Sequence, residues 1–229
     1  MVNHPAGTFV GGTNSERSLF VVPKRHDDGG VYRVFDILIA IVCLLVLWPA
    51  MLLLAILLKL TDPGPIFFGH KRIGRNGRPF VCWKFRSMVL NAEERLQDVL
   101  QRDTEAAREW RETQKLRNDP RITPLGRFLR RTSLDELPQL FNVVTGDMSV
   151  VGPRPIVGAE AERYEHVFAL YCRVRPGMTG LSQISGRSDL SYAERVLLDA
   201  QYVGRKSIRE DLRILFFTVP AILGGQGSY

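Results

Sequence analysis

The 229-residue chain has little of what builds metal centres, disulfide scaffolds or hydrolytic triads. Its three cysteines, Cys43, Cys82 and Cys172, are odd in number and lack metal-ligand spacing. That excludes a disulfide framework and fits a reducing compartment. The four histidines, His4, His26, His70 and His166, are scattered, which excludes a zinc cluster and a histidine-based triad. The glycine-rich stretch Arg175-Pro-Gly-Met-Thr-Gly-Leu-Ser-Gln-Ile-Ser-Gly-Arg187 fits neither the dinucleotide fingerprint nor the GxxxxGK[ST] phosphate loop. Aromatic residues are not interleaved with Arg or Lys, so no base-stacking platform exists and nucleic acid is not a partner.

What the chain has in excess is positive charge and one long apolar run. Lys and Arg number 31 against 24 Asp and Glu, a net +7 that favours anionic partners such as phosphates and anionic lipid. Ile37 to Leu58 is 22 residues without a charge or polar side chain, about 33 Å if helical. A hydrocarbon core is about 30 Å thick, so the segment belongs in a bilayer. It begins too late and runs too long for a signal peptide. Both flanks are basic, with Lys24, Arg25 and Arg33 before it and Lys59, Lys71 and Arg72 after it. Positive charge stays on the cytoplasmic side, and Pro49 near the centre removes a backbone hydrogen bond. These features predict a helix-break-helix over 31–60 that enters and leaves by one face, with a simple span as the alternative. Residues 1–30, rich in Gly, Asn and Asp, read as a mobile tail, and 61–229 as one cytoplasmic domain.

The fold class expected is α+β and mainly helical. Ile66–Ile73 and Pro79–Arg86 flank Asn76-Gly77 and predict a β-hairpin, with Val81, Trp83 and Phe85 on one face and Cys82, Lys84 and Arg86 on the other. Residues 91–117 read as an amphipathic helix or helix pair. Thr123-Pro124 opens a further helix as N-cap and first residue. A final apolar helix starts at Ser207 and is short enough to be packed or interfacial.

Chemistry concentrates around Asp135 and Glu136. Ser133 with Glu136 has the capping-box spacing, and Pro138 suits a first helical turn. The carboxylates either cap that helix or react, and the local pattern allows both. Lys84 and Arg86 suit phosphate, or solvate an outer strand face. In Gly152-Pro-Arg-Pro155 two prolines hold Arg154 in a rigid loop able to grip a phosphate oxygen pair. Arg175 and Arg187 bracket the glycine-rich loop as further basic candidates.

Four ordered stretches carry a resemblance: Lys84-Phe-Arg-Ser-Met88, Ser133-Leu-Asp-Glu-Leu-Pro-Gln-Leu140, Gly146-Asp-Met-Ser-Val-Val-Gly-Pro-Arg-Pro155 and Arg175-Pro-Gly-Met-Thr-Gly-Leu181. From about residue 31 onward the chain resembles the bacterial sugar transferase family, the monotopic polyprenyl-phosphate phosphoglycosyl transferases, and most of all their ExoY-type exopolysaccharide-initiating branch. The resemblance implies transfer of a sugar-1-phosphate from a UDP-sugar to undecaprenyl phosphate with release of UMP, at the cytoplasmic face of the bacterial inner membrane. It implies Asp135 as nucleophile, Glu136 as a ligand of Mg²⁺, and a re-entrant membrane helix. Trp48-Pro49 stands where members carry Ser-Pro. Galactose is the sugar implied first, with glucose next and an N-acetylated sugar also compatible, as is a homo-oligomer. The competing reading is a non-enzymatic scaffold that binds anionic lipid. It leaves the paired carboxylates beside phosphate-suited arginines without a purpose.

Overall fold

The computed structural model describes residues 29–113, 116–186 and 190–223. All but the last two residues of the expected tail, together with Arg187, lie outside them. The first element is a single helix, α1, Val31–Thr61. The expected division at Pro49 is not seen. The proline leaves the Leu45 carbonyl without its usual partner, but the backbone stays helical through it.

One stripe of α1 is buried: Asp36, Ala40, Met51, Leu54 and Leu58, with Ile39, Cys43 and Leu44 beside it. These positions recur at helical spacing and so fall on one face. Much of the remaining face, including Leu38, Val42, Leu45, Val46, Trp48, Leu53 and Leu60, is exposed and apolar, with Lys59 at its end. The two ends of the stripe meet different parts of the same domain. Ala40 joins a core with Leu140, Val143, Met148, Val150 and Val151, while Met51, Leu54 and Leu58 pack on Phe85 and Leu129. The helix therefore runs along the domain instead of projecting from it.

The hairpin forms as expected. β1 (Phe67–Ile73) pairs antiparallel with β2 (Pro79–Phe85), and Asn76 and Gly77 take the positive φ of the turn. Its faces are less uniform than alternation suggests, because Phe85 is buried under α1 whereas Val81 and Trp83 on the same face are exposed. The amphipathic stretch is a helix pair, α2 (Ala92–Arg102) and α3 (Thr104–Thr113). α4 (Pro124–Arg131) has Thr123 as N-cap, its hydroxyl accepting from the Gly126 N–H at 2.9 Å.

A turn at Leu134–Glu136 leads into α5 (Gln139–Thr145), which ends at Gly146 with φ 95°. β3 (Ser149–Val151) follows, then a 3₁₀ segment (Gly158–Val167), α6 (Phe168–Tyr171), β4 (Gly177–Thr179) and α7 (Leu181–Ile184). β3 and β4 pair in parallel, Ser149 opposite Gly177 and Val151 opposite Thr179. α8 (Tyr192–Arg205) carries a full capping box from Ser191 and Glu194, and α9 (Ile208–Leu223) closes the described chain. The class is α+β with two two-stranded sheets among helices, mainly helical as expected.

Polar contacts fix the start of α1 to this body. Arg33 donates to the Val143 carbonyl at 2.5 Å and the Val144 carbonyl at 2.7 Å in the last turn of α5, where Val143 also accepts from the Gly146 N–H at 3.2 Å. Asp36, 5 % exposed, accepts from the Ser149 hydroxyl at 2.8 Å and the Val150 N–H at 2.9 Å. Asp36→Ala orphans both donors and is expected to cost about 2–4 kcal/mol. Thermal unfolding of the detergent-solubilised protein checks this, and an unchanged Tm refutes it.

Candidate active site

α5 is clamped to the hairpin by one side chain. Asn142 Oδ1 accepts from the Trp83 N–H at 3.0 Å, and its Nδ2 donates to the Val81 carbonyl at 2.7 Å. The clamp engages an edge of β2, and the turn that precedes α5 then lies beside Lys84. Lys84 Nζ stands 2.5 Å from Glu136 Oε1 and 3.9 Å from Asp135 Oδ2.

The expected capping box is not formed. Ser133 sits in the left-handed region at φ 57° and its side chain caps nothing. Asp135 and Glu136 occupy a separate 3₁₀ turn, and α5 begins only after Pro138. The left-handed serine turns the chain before the carboxylates, and both then lie within reach of Lys84.

The two carboxylates differ in setting. Asp135 is 7 % exposed, and Glu136 opens on a cleft. Burial pushes the Asp135 pKa up to about 6; Lys84 and Arg130 pull it down, and the Glu136 charge raises it. Desolvation wins because a buried carboxylate loses more hydration than one neighbouring cation returns. Arg130 is held by its Nε–H donating to the Ser87 hydroxyl at 2.8 Å.

The opposite wall of the cleft is the β3–β4 pair. The Gly152 N–H donates to the Thr179 carbonyl and the Gly177 N–H to the Pro153 carbonyl, each at 2.9 Å. A Cβ on Gly177 would meet the Gly152 nitrogen at 2.0 Å, so glycine is required for this approach. The zipped loops present Arg154, which is exposed, to the cleft that Lys84, Glu136, Gln139 and Gln183 also line. Arg72 completes the wall. It donates to the Pro155 carbonyl at 3.2 Å and lies 3.7 Å from Glu160. Burial and the neighbouring Arg154 charge lower its pKa, with Glu160 opposing them.

Of the residues singled out from sequence, Lys84, Asp135, Glu136 and Arg154 are brought together. Arg86 is directed elsewhere. It is 7 % exposed, donates to the Asp62 carbonyl and lies 3.5 Å from the Asp62 carboxylate, where α1 ends. Arg175 Nε donates to the Gly146 carbonyl at 2.7 Å, at the far end of α5 from Glu136. Arg187 is outside the described residues. Arg72, Gln139 and Gln183 belong to the cleft and were missed. For Arg72 a signal existed. The Asn76-Gly77 turn fixes a register in which Phe68 faces Lys84, His70 faces Cys82 and Arg72 faces Phe80, all on one face.

No group of three or more His, Cys, Asp or Glu gathers among the described residues. A divalent ion caged by protein alone is therefore not offered. Mg²⁺ carried by a diphosphate needs only one or two carboxylates, the rest being phosphate oxygens and water. Glu136, its side chain one-third exposed at the cleft, fits that lesser demand.

The model of the bacterial sugar transferase family matches residues 28–225. The chain belongs to this family. It is 49 % identical over 222 residues to the exopolysaccharide production protein ExoY of Rhizobium meliloti, covering 95 % of this chain and 98 % of that protein. It is 51 % identical over 198 residues to the undecaprenyl-phosphate galactose phosphotransferase of Salmonella typhimurium, covering 86 % of this chain and 41 % of that longer protein. A UDP-glucose:undecaprenyl-phosphate glucose-1-phosphate transferase of Escherichia coli is 42 % identical over 195 residues, covering 82 % of this chain and 39 % of that one. The motifs that line this sugar transferase's cleft all lie inside the matched range.

The Asp135 pKa has two consequences with opposite signs. A nucleophilic role for Asp135 would require the ionised form, so activity through it would rise with pH to a plateau above about 6. Stability falls over the same interval, because the folded carboxyl holds its proton more tightly than the unfolded one, whose pKa is 3.8. Asp135→Asn therefore raises Tm above pH 6, a gain that vanishes below pH 3.8. Lys84→Met moves the activity midpoint upward, since the cation holds the pKa down. A midpoint that stays put in Lys84→Met removes this assignment.

Proposed function

We propose that the protein moves a sugar-1-phosphate from a UDP-sugar to undecaprenyl phosphate in two displacements on Asp135. In the first, an Asp135 oxygen attacks the phosphorus that bears the sugar. The P–O bond to UMP breaks, UMP leaves with the electron pair, and an acyl phosphate joins Asp135 to the sugar. In the second, an oxygen of the lipid phosphate attacks the same phosphorus and the bond to Asp135 breaks. Separating the steps means two polyanions never share the site. Arg72, Lys84 and Arg154 bind the diphosphate, and Glu136 holds the metal-facing side. Mg²⁺, when bound with the diphosphate, neutralises charge on the leaving group.

The observation that carries this reading is the pairing of a buried aspartate of raised pKa with Lys84, beside a cleft that also holds Arg72 and Arg154. A lipid-binding scaffold has no use for it, because burying a carboxylate costs stability. The relatives' printed substrates support the donor and the acceptor. Galactose is favoured by the Salmonella typhimurium relative, with glucose next.

The packing of α1 supports a membrane arrangement. Each half of α1 contributes to a core of the same domain, and basic Arg33 and Lys59 mark its two ends. A helix that crossed the bilayer would carry one end away from that domain. We therefore read α1 as embedded from the cytoplasmic side of the inner membrane, with its apolar outer face in lipid.

With radiolabelled UDP-galactose, UDP-glucose or a UDP-N-acetylhexosamine and no lipid, the wild type is expected to retain labelled sugar phosphate and release UMP. Asp135→Asn is expected to lose at least about 1,000-fold in labelling. Undiminished labelling of that variant would exclude covalent transfer through Asp135. For topology, Gly29→Cys and Pro63→Cys, each in a background lacking the native cysteines, should react with an impermeant thiol reagent only in inside-out vesicles. Reaction from opposite faces would establish a span.

A further inference from the structure

Gln139 opens α5 on the wall of the cleft. It is 3 % exposed, and its side-chain amide has no hydrogen-bond partner among the described residues. The amide is not sealed from solvent: its polar atoms open on the cleft, where water or a ligand can reach them. Asn142, one turn on, shows the ordinary case, with its amide fully engaged at β2. The nearest acidic group in the cleft, Glu136, is already held by Lys84. The unused capacity of Gln139 thus faces the one part of its surroundings that a ligand can fill.

Its position is specific. Leu137 and Pro138 both have right-handed helical backbone, so the chain winds from the Asp135 turn into α5 without a change of hand. Gln139 then follows Asp135 by four residues and Glu136 by three, the spacing that puts side chains on one side of a helix. We propose that the Gln139 amide binds the phosphoryl group being transferred, its Nε2–H donating to a non-bridging oxygen of the phosphate that carries the sugar. This rests on the phosphoglycosyl transferase reading above.

The chemistry favours a neutral donor here. Phosphate oxygens only accept, and a primary amide supplies N–H donors without charge. A further cation beside Asp135 would pair with it and weaken the nucleophile, as Lys84 and Arg130 already tend to do. The phosphoryl group stays attached to Asp135 between the two displacements, so one donor at Gln139 serves both. An amide with no protein partner in the resting state that bonds the ligand places binding energy at the reacting phosphorus.

The test compares full-length wild type, Gln139→Met and Gln139→Glu in detergent. Three quantities are read: Tm without ligand, the rate of label retention with the UDP-sugar that labels wild type best, and the Tm shift that this UDP-sugar induces. Methionine keeps the length and removes hydrogen bonding. The expected result is an unliganded Tm equal to or above wild type, with labelling slowed about 10- to 100-fold. Labelling within about two-fold of wild type overturns the inference, as does a loss of unliganded Tm in parallel with activity, which marks a structural role. If Gln139→Met does not fold, Gln139→Glu decides, since it keeps the shape and removes the donor. Normal labelling by a folded Gln139→Glu overturns the proposal, and lost labelling supports it. If wild type takes no label but a UDP-sugar still raises its Tm, covalent transfer fails separately. Gln139 is then judged on that shift, and an equal shift in Gln139→Met rejects it. Neither label nor shift in wild type rejects both.

Discussion

The site depends on how Asn142 ties a short helix to the edge of a hairpin. Its side chain takes the Trp83 N–H and gives to the Val81 carbonyl. Its own carbonyl accepts from the N–H groups of Gly146, Asp147 and Met148. One residue thus sets the distance between β2 and α5 and also turns the chain out of α5 into β3. Lys84 meets the carboxylates only because that distance is fixed. Arg33 and Arg175 bind carbonyls at the far end of α5, so the helix is held at both ends. A seven-residue helix has no stability of its own and must borrow it from such contacts.

Within that frame the electrostatics are deliberately unbalanced. Asp135 is buried far enough to resist ionisation, yet lies near Lys84 and Arg130, which favour it. On the facing wall the Arg154 charge disfavours that of Arg72, with Glu160 compensating in part. Like charges held together in the resting protein are stabilised when a polyanion enters.

Much of the fold was legible because local rules and tertiary packing agreed. Asn76-Gly77 fixed the hairpin and Thr123-Pro124 opened α4, whereas the break expected at Pro49 is not seen and α1 is continuous. The rules failed where a tertiary contact decided the outcome. Ser133 and Glu136 have capping-box spacing, but Lys84 competes for the glutamate and the serine adopts a left-handed turn. Arg86 looks equivalent to Lys84 by strand alternation, yet the end of α1 places Asp62 against it. Gln139 was invisible because an apolar-flanked glutamine is indistinguishable in sequence from a satisfied one such as Gln97, which bonds Glu93. Only the absence of a partner in three dimensions marks it.

The stripe of α1 that runs from Asp36 to Leu58 has a consequence for how the protein is handled and for how such a chain evolves. Membrane anchors are often removable tethers, and the enzyme beyond them survives their loss. Here the anchor is a wall of the building. Without it, Val143, Val150, Phe85 and Leu129 would face water, and the Ser149 hydroxyl and Val150 N–H would lose the carboxylate that accepts from both. A fragment starting after Thr61 would be a body with an open side. Because α1 packs directly on α5, a shift of α1 is felt by that helix and by the carboxylates that precede it.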